Sequence, residues 1–132
     1  MGFDWRDFLV LARELGQAPE ESKKRTAVGR AYYFVYNAAL TEAKRHGYNP
    51  YVPSSTGLHK RLWGWCQAHR DPDIVALGDA GSTLHVRRIR VDYQAATSMA
   101  LPQDVRKQLA EAEECEARLA EIARKAPWVQ RG

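Results

Sequence analysis

The sequence predicts an all-α fold, an antiparallel helical bundle of about five helices, on three observations. Apolar residues recur at helical spacing along most of the chain, proline and glycine divide it into helix-length segments, and no stretch alternates apolar and polar residues as a half-buried strand would. At 132 residues the chain is read as one domain over 1–132, long enough to bury a core without staples.

Asp4 to Leu15 predicts a short amphipathic first helix, with Trp5, Phe8, Leu9, Leu11, Ala12 and Leu15 inward and Gly16 as its stop. A second, much longer helix runs from about Pro19 to Gly47. Glu20 and Glu21 in its first turn and Lys44 and Arg45 in its last suit the helix macrodipole. This helix is apolar around most of its circumference, but Thr26, Arg30, Asn37, Thr41 and Lys44 share one stripe with Tyr33 at its edge. Such a helix belongs at the centre of a bundle or across an interface. Tyr48 to Gly57 (YNPYVPSSTG) reads as a loop.

The third helix, about Leu58 to His69, offers Leu58, Leu62, Trp63, Trp65 and Cys66 to the core, with the tryptophans packing rather than stacking on bases. Asp71 followed by Pro72 is an N-cap and first-position signal. The fourth helix runs from there to about Thr97, and Gly78 and Gly81 are expected to bend or interrupt its first half. After Leu101-Pro102, Gln103 to Lys125 forms a fifth helix with Val105, Leu109, Ala112, Leu119, Ile122 and Ala123 inward and a charged outer surface. Trp128 is expected to fold back onto the bundle.

Composition bounds the function. The net charge of +4 favours a polyanionic partner. Cys66 and Cys115 are far apart, with no CxxC or Cys/His ligand spacing, so neither a zinc site nor a disulfide framework is indicated and a reduced, cytoplasmic setting is expected. The first residues lack a basic leader and a long apolar run, and no window has the length of a membrane-spanning helix. GxGxxG, GxxxxGK[ST], HExxH and GxSxG are all missing, which removes the common nucleotide-loop, zinc-hydrolase and serine-hydrolase classes. No cofactor or metal is expected.

The candidate chemistry lies in Leu84 to Gln94, LHVRRIRVDYQ. On a helical wheel His85, Arg88 and Asp92 fall within an arc of about 60° bordered by apolar residues, including Ala95 and Ala96, with Tyr93 one step round. Charged groups set in an apolar surface need partners, because an unpaired buried charge is expensive. Arg88 and Asp92 at i and i+4 make an intrahelical ion pair, and His85 one turn back is a candidate general acid or base. Arg87, Arg90 and Gln94 lie roughly opposite, on an expected solvated face from which the two arginines reach phosphate. If the second and fourth helices are antiparallel neighbours, the Arg30/Tyr33/Asn37/Thr41 stripe faces the fourth-helix cluster.

TAVGRAYYFVYNAAL in the second helix together with LHVRRIRVDYQ in the fourth resembles the HEPN superfamily. The closest likeness is to the branch with an R-A-Y-Y-x-x-[FY]-[HN]-A-A-like second helix and an R-x-x-A-D-Y-like fourth helix, and it spans roughly Trp5 to Ile122. The resemblance implies a helical bundle that dimerises, with the fourth-helix motifs of both subunits in a shared cleft. Many relatives are metal-independent endoribonucleases of toxin–antitoxin, CRISPR-linked or antiphage systems. In these, a motif arginine holds the scissile phosphate and a following histidine handles protons while the RNA 2′-hydroxyl attacks.

Position by position, Arg88 matches the motif arginine, and Ile89 stands where a polar residue is usual. Tyr93 stands about where the histidine would be, and no histidine follows Arg88 in this chain. Asp92-Tyr93 matches the D-Y of the branch without histidine. Tyr33 and Asn37 match second-helix positions facing the same cleft. The resemblance thus implies a ribonuclease using Arg88 with His85, Asp92 or Tyr93, and Arg30, Tyr33, Asn37, Arg87 and Arg90 as RNA or nucleotide contacts. The alternative is a non-catalytic module binding a nucleotide, RNA, or a nucleotidyltransferase-type or defence-complex partner encoded nearby. In a third reading the polar network only fixes the register of a homodimer.

Overall fold

A computed structural model describes residues 3–94 and 100–125. They form five helices and no strand: α1 (Arg6–Gln17), α2 (Glu21–Arg45), α3 (Leu58–Gln67), α4 (Pro72–Tyr93) and α5 (Leu101–Arg124). The residues 95–96 that flank the fourth-helix arc, and Trp128, lie outside the described residues; α4 ends at Tyr93 with Gln94 extended, short of the expected Thr97. No described helix is long and apolar enough to cross a membrane.

The central helix is α2, as its nearly all-round apolar surface requires; Ala27, Val28, Ala31, Tyr32, Phe34, Val35 and Ala39 are buried. Contacts along its length fix the direction of its neighbours. Near its start α2 meets Gln108 and near its end Ile122, so α2 and α5 run parallel. Arg25 meets Val91 and Tyr32 meets His85, so α4 runs antiparallel to both. α3 packs antiparallel to α4 as well, with His59 near His85 and Cys66 near Gly78, so α3 and α5 both run in the sense of α2 and against α4.

Two arginines of α2 close the helices beside it. Arg25 Nη1 donates to the Val91 carbonyl in the last turn of α4. Arg45 Nη2 donates to the Ile122 and Lys125 carbonyls at the end of α5, at 2.9 and 3.0 Å. Each satisfies carbonyls that a helix C-terminus leaves unpaired, and each brings positive charge to the negative end of the dipole. Asp71 caps α4 by accepting from Asp73 N at 2.8 Å with Pro72 in the first turn, as the sequence signals.

Several expectations are corrected. Gly16 does not stop α1, which continues to Gln17; a Cβ there would lie 3.0 Å from Val105 and 3.2 Å from Leu109, so the glycine lets α5 approach. Gly78 and Gly81 do not break α4 either. They face α3: a Cβ on Gly78 would come within 2.7 Å of Cys66 Cβ, and one on Gly81 would overlap the six-membered ring of Trp63. Leu58 is 58% exposed, while Leu11 and Ala123 also face outward. On α5 the buried face also includes Leu101, Gln108 and Cys115. The two thiols are free and buried, and burial pushes both up to about 12, so neither is a thiolate.

The Gly81 seat gives a stability test. Gly81→Ala forces a methyl into a rigid buried ring and is expected to destabilise the fold by about 1–3 kcal/mol or more in urea unfolding, although alanine is the better helix former. A variant as stable as the parent would contradict the packing described.

Candidate functional site

The site forms where α3 crosses the glycine face of α4. Trp63 seats on Gly81 and donates from Nε1 to the buried Tyr32 hydroxyl at 3.1 Å, which anchors α3 to α2 as well. One helical turn before Trp63, on the same side of α3, stands His59. Its Nδ1 lies 2.6 Å from the Tyr32 hydroxyl.

Three rings, those of Tyr32, Tyr36 and His85, stack around His59. The His59 ring lies 4.1 Å from Tyr36 and 5.0 Å from His85, at interplanar angles of 23° and 17°. His85 in turn stacks on Tyr32 at 5.1 Å and 16°. Beside the stack, the Arg88 guanidinium sits 5.1 Å above the Tyr33 ring, a cation–π arrangement. Arg88 Nε is 2.9 Å from Asp92 Oδ2, but its N–H is not aimed along that line, so the contact is ionic rather than a formed hydrogen bond. Both partners are partly open, with side chains 21% and 30% exposed.

Among the described residues nothing bonds His59 Nε2 or either ring nitrogen of His85, and none of these atoms is sealed from solvent. His59 Nε2, both ring nitrogens of His85 and part of the Arg88 side chain are thus reachable from solvent. Burial, then the neighbouring His85 and Arg88, hold His59 down to about 4. Burial, Arg88 and Lys60 likewise hold His85 below its ordinary value. Both rings are neutral at pH 7. Burial raises Tyr32 and Tyr36, which stay protonated.

His85, Arg88, Asp92 and Tyr33 come together as the sequence predicts, with α2 and α4 antiparallel neighbours. Arg30 does not join them. Its guanidinium lies 5.1 Å over the Phe8 ring of α1, away from the α4 cluster. Asn37 Nδ2 donates at 2.8 Å to the Tyr33 carbonyl in its own helix. Tyr93, 76% exposed at the end of α4, stands outside the ring stack.

Arg87 and Arg90 are both tied to α5, which covers Arg87 but leaves the Arg90 side chain 41% exposed. Arg87 is 11% exposed and binds Gln108 Oε1 at 2.7 Å and Glu111 Oε2 at 2.6 Å. Arg90 pairs with the buried Asp104. Together with Gln67, Asp79, Thr83 and Val86 they line a separate surface cavity.

The residues missed from sequence are His59, Tyr32 and Tyr36. His59 lies outside the two recognised helices, yet a signal existed: it precedes Trp63 by four residues, which puts a titratable ring on the core-facing side of α3. Tyr32 and Tyr36 read as plain core aromatics because a hydroxyl leaves no trace in the apolar pattern. Among the described residues no group of three or more His, Cys, Asp or Glu is placed to hold a metal ion. Comparison with protein-family models, curated proteins and solved structures gave no match.

The lowered histidines set a pH dependence. Between about pH 4 and the ordinary value of 6.5 an unfolded chain binds a proton on His59 that the folded site refuses. Stability from this source is therefore complete above 6.5, falls as pH drops toward 4, and levels off below. NMR titration is expected to place the His59 midpoint near 4 and His85 below 6.5. Urea unfolding of His59→Gln should lack this part of the acid sensitivity. A His59 midpoint at the free-histidine value would refute the burial described.

Proposed function

We propose that this chain is an RNA-targeting protein of HEPN type, a metal-independent endoribonuclease of a toxin–antitoxin or antiphage system acting as a dimer. One observation carries the reading: two neutral, open-edged histidines stacked 5.0 Å apart beside a partly open arginine. His59 supplies a second imidazole where no histidine follows Arg88. Arg88 holds the non-bridging oxygens of the scissile phosphate. Neutral His85 takes the 2′-hydroxyl proton as the 2′-oxygen bonds to phosphorus. The bond to the 5′-oxygen breaks, water supplies the proton that the 5′-oxygen needs, and His85 returns its own to solvent. The products are a 2′,3′-cyclic phosphate and a 5′-hydroxyl.

The net charge of +4 supports a polyanionic substrate. Val86, Ile89 and Tyr93 give α4 an exposed apolar stripe beside the site (63%, 40% and 76%), and a second copy covering it would bring two sites together. One observation favours the second reading, a non-catalytic module for a nucleotide, RNA or a nucleotidyltransferase-type or defence-complex partner: Asp92 already pairs with Arg88.

Incubation of the purified protein with total RNA in EDTA tests both. Cleavage that persists in EDTA, falls about 10²–10⁴-fold in His85→Ala, and falls by about 10² or more in Arg88→Ala supports the nuclease. RNA binding without cleavage by any folded form supports the second reading. Neither binding nor cleavage sinks both.

A further inference from the structure

The hydrogen bonds around Tyr32 determine which edge of His59 carries a proton. A tyrosine hydroxyl has one hydrogen to donate and two lone pairs to accept with. The indole Nε1 of Trp63 can only donate, so its 3.1 Å bond occupies a lone pair. The hydroxyl hydrogen then has one acceptor among the described residues, His59 Nδ1 at 2.6 Å. Tyr32 is fully buried, so water cannot take its place. Were Nδ1 protonated, two donors would point at the hydroxyl and its own hydrogen would be left without an acceptor. The hydrogen of the neutral ring must therefore sit on Nε2, the nitrogen that nothing bonds and that solvent reaches.

We infer that Tyr32 is a positioning residue: its hydroxyl holds His59 as the Nε2–H tautomer, so that His59 and Arg88 together form a donor site for an anionic phosphoryl oxygen and His85 alone exchanges protons. This rests on the reading of the site as one for a phosphodiester. An imidazolium carries hydrogen on both nitrogens, so the same bond network opposes charging His59. The groups packed against His59 add to that opposition. Tyr32, Tyr33 and Tyr36 face it from α2, and His85 and Arg88 from α4. None of them is an anion, and the nearby carboxylate, Asp92, is engaged by Arg88. His59 Nε2 already bears its hydrogen and cannot accept another, whereas neither nitrogen of His85 is committed. The two stacked rings, alike in sequence, are thus given different tasks by one buried hydroxyl.

The test is NMR of the full chain with ¹⁵N-labelled histidine. His59 is expected to show a bare Nδ1 and a protonated Nε2, unchanged from pH 8 to about 5. In Tyr32→Phe the two tautomers should mix and the His59 midpoint should rise. Inorganic phosphate is expected to shift His59 Nε2–H and His85, with binding weakened at least tenfold in Arg88→Ala. If Tyr32→Phe does not fold by circular dichroism, the parent spectrum still decides. Hydrogen on Nδ1 of the parent, or an unchanged His59 in a folded Tyr32→Phe, overturns the inference. His59→Gln also bears on it, since glutamine keeps a donor and an acceptor and never titrates. It should retain phosphate binding that His59→Ala loses, and equal loss in both would overturn the donor role. A protein that binds phosphate through this tautomer but never cleaves RNA would remove the nuclease reading alone. Cleavage with the tautomer reversed would remove this inference alone.

Discussion

The hydrogen bond from the Trp63 indole to the Tyr32 hydroxyl is the contact on which the candidate site depends. Its donor belongs to α3, its acceptor to α2, and the ring that carries the donor is seated on Gly81 of α4. Three helices are thereby fixed at one buried point. With the 2.6 Å contact of His59 Nδ1 to the same hydroxyl, this seat holds His59 against Tyr36 and His85. The bond is also polar and fully buried, which makes it directional as well as adhesive. Apolar packing alone would tolerate small rotations of α3, but a buried donor and acceptor do not.

A second constraint sets the height of α2, α4 and α5 relative to one another. Gln108, fully buried on α5, donates to the Val28 and Leu84 carbonyls at 3.2 and 3.1 Å and accepts from Arg87. Its amide is thus satisfied on three sides, as burial of a polar group requires. Together with the Arg90 pairing to Asp104 it explains why arginines on the far face of α4 serve the fold. Arg88 then remains the α4 arginine at the candidate site. The register held by Gln108 keeps Leu84, and so His85 beside it, level with Tyr32.

The electrostatics of the site suit an incoming anion. It holds two neutral imidazoles and one guanidinium, and the carboxylate present is engaged by that guanidinium. A phosphate arriving there would compete with Asp92 for Arg88. Its negative charge would offset the burial and the Arg88 field that now depress the histidines, raising the proton affinity of His85 as the ligand binds. Asp92 keeps Arg88 oriented and prevents an unpaired charge from sitting against the Tyr33 ring.

Much of the fold was legible because helical periodicity, the Asp71-Pro72 start and the loop prolines are local signals read within a few residues. The same locality let His85, Arg88 and Asp92 be placed on one face, since i, i+3 and i+4 spacing is a property of a single helix. The all-α class, the approximate helix limits and half of the site follow from the chain alone. The meaning of the glycines does not: Gly16, Gly78 and Gly81 read as breaks, and only the approach of α5 and of Trp63 shows that they are seats. The sorting of the arginines is likewise tertiary, because which face of α4 is solvated depends on where α5 lies. His59 and the Tyr32 hydroxyl enter the site by the same route. Their partners are 26 or more residues away or on another helix, and a hydrogen bond across that distance leaves no periodic mark in the sequence.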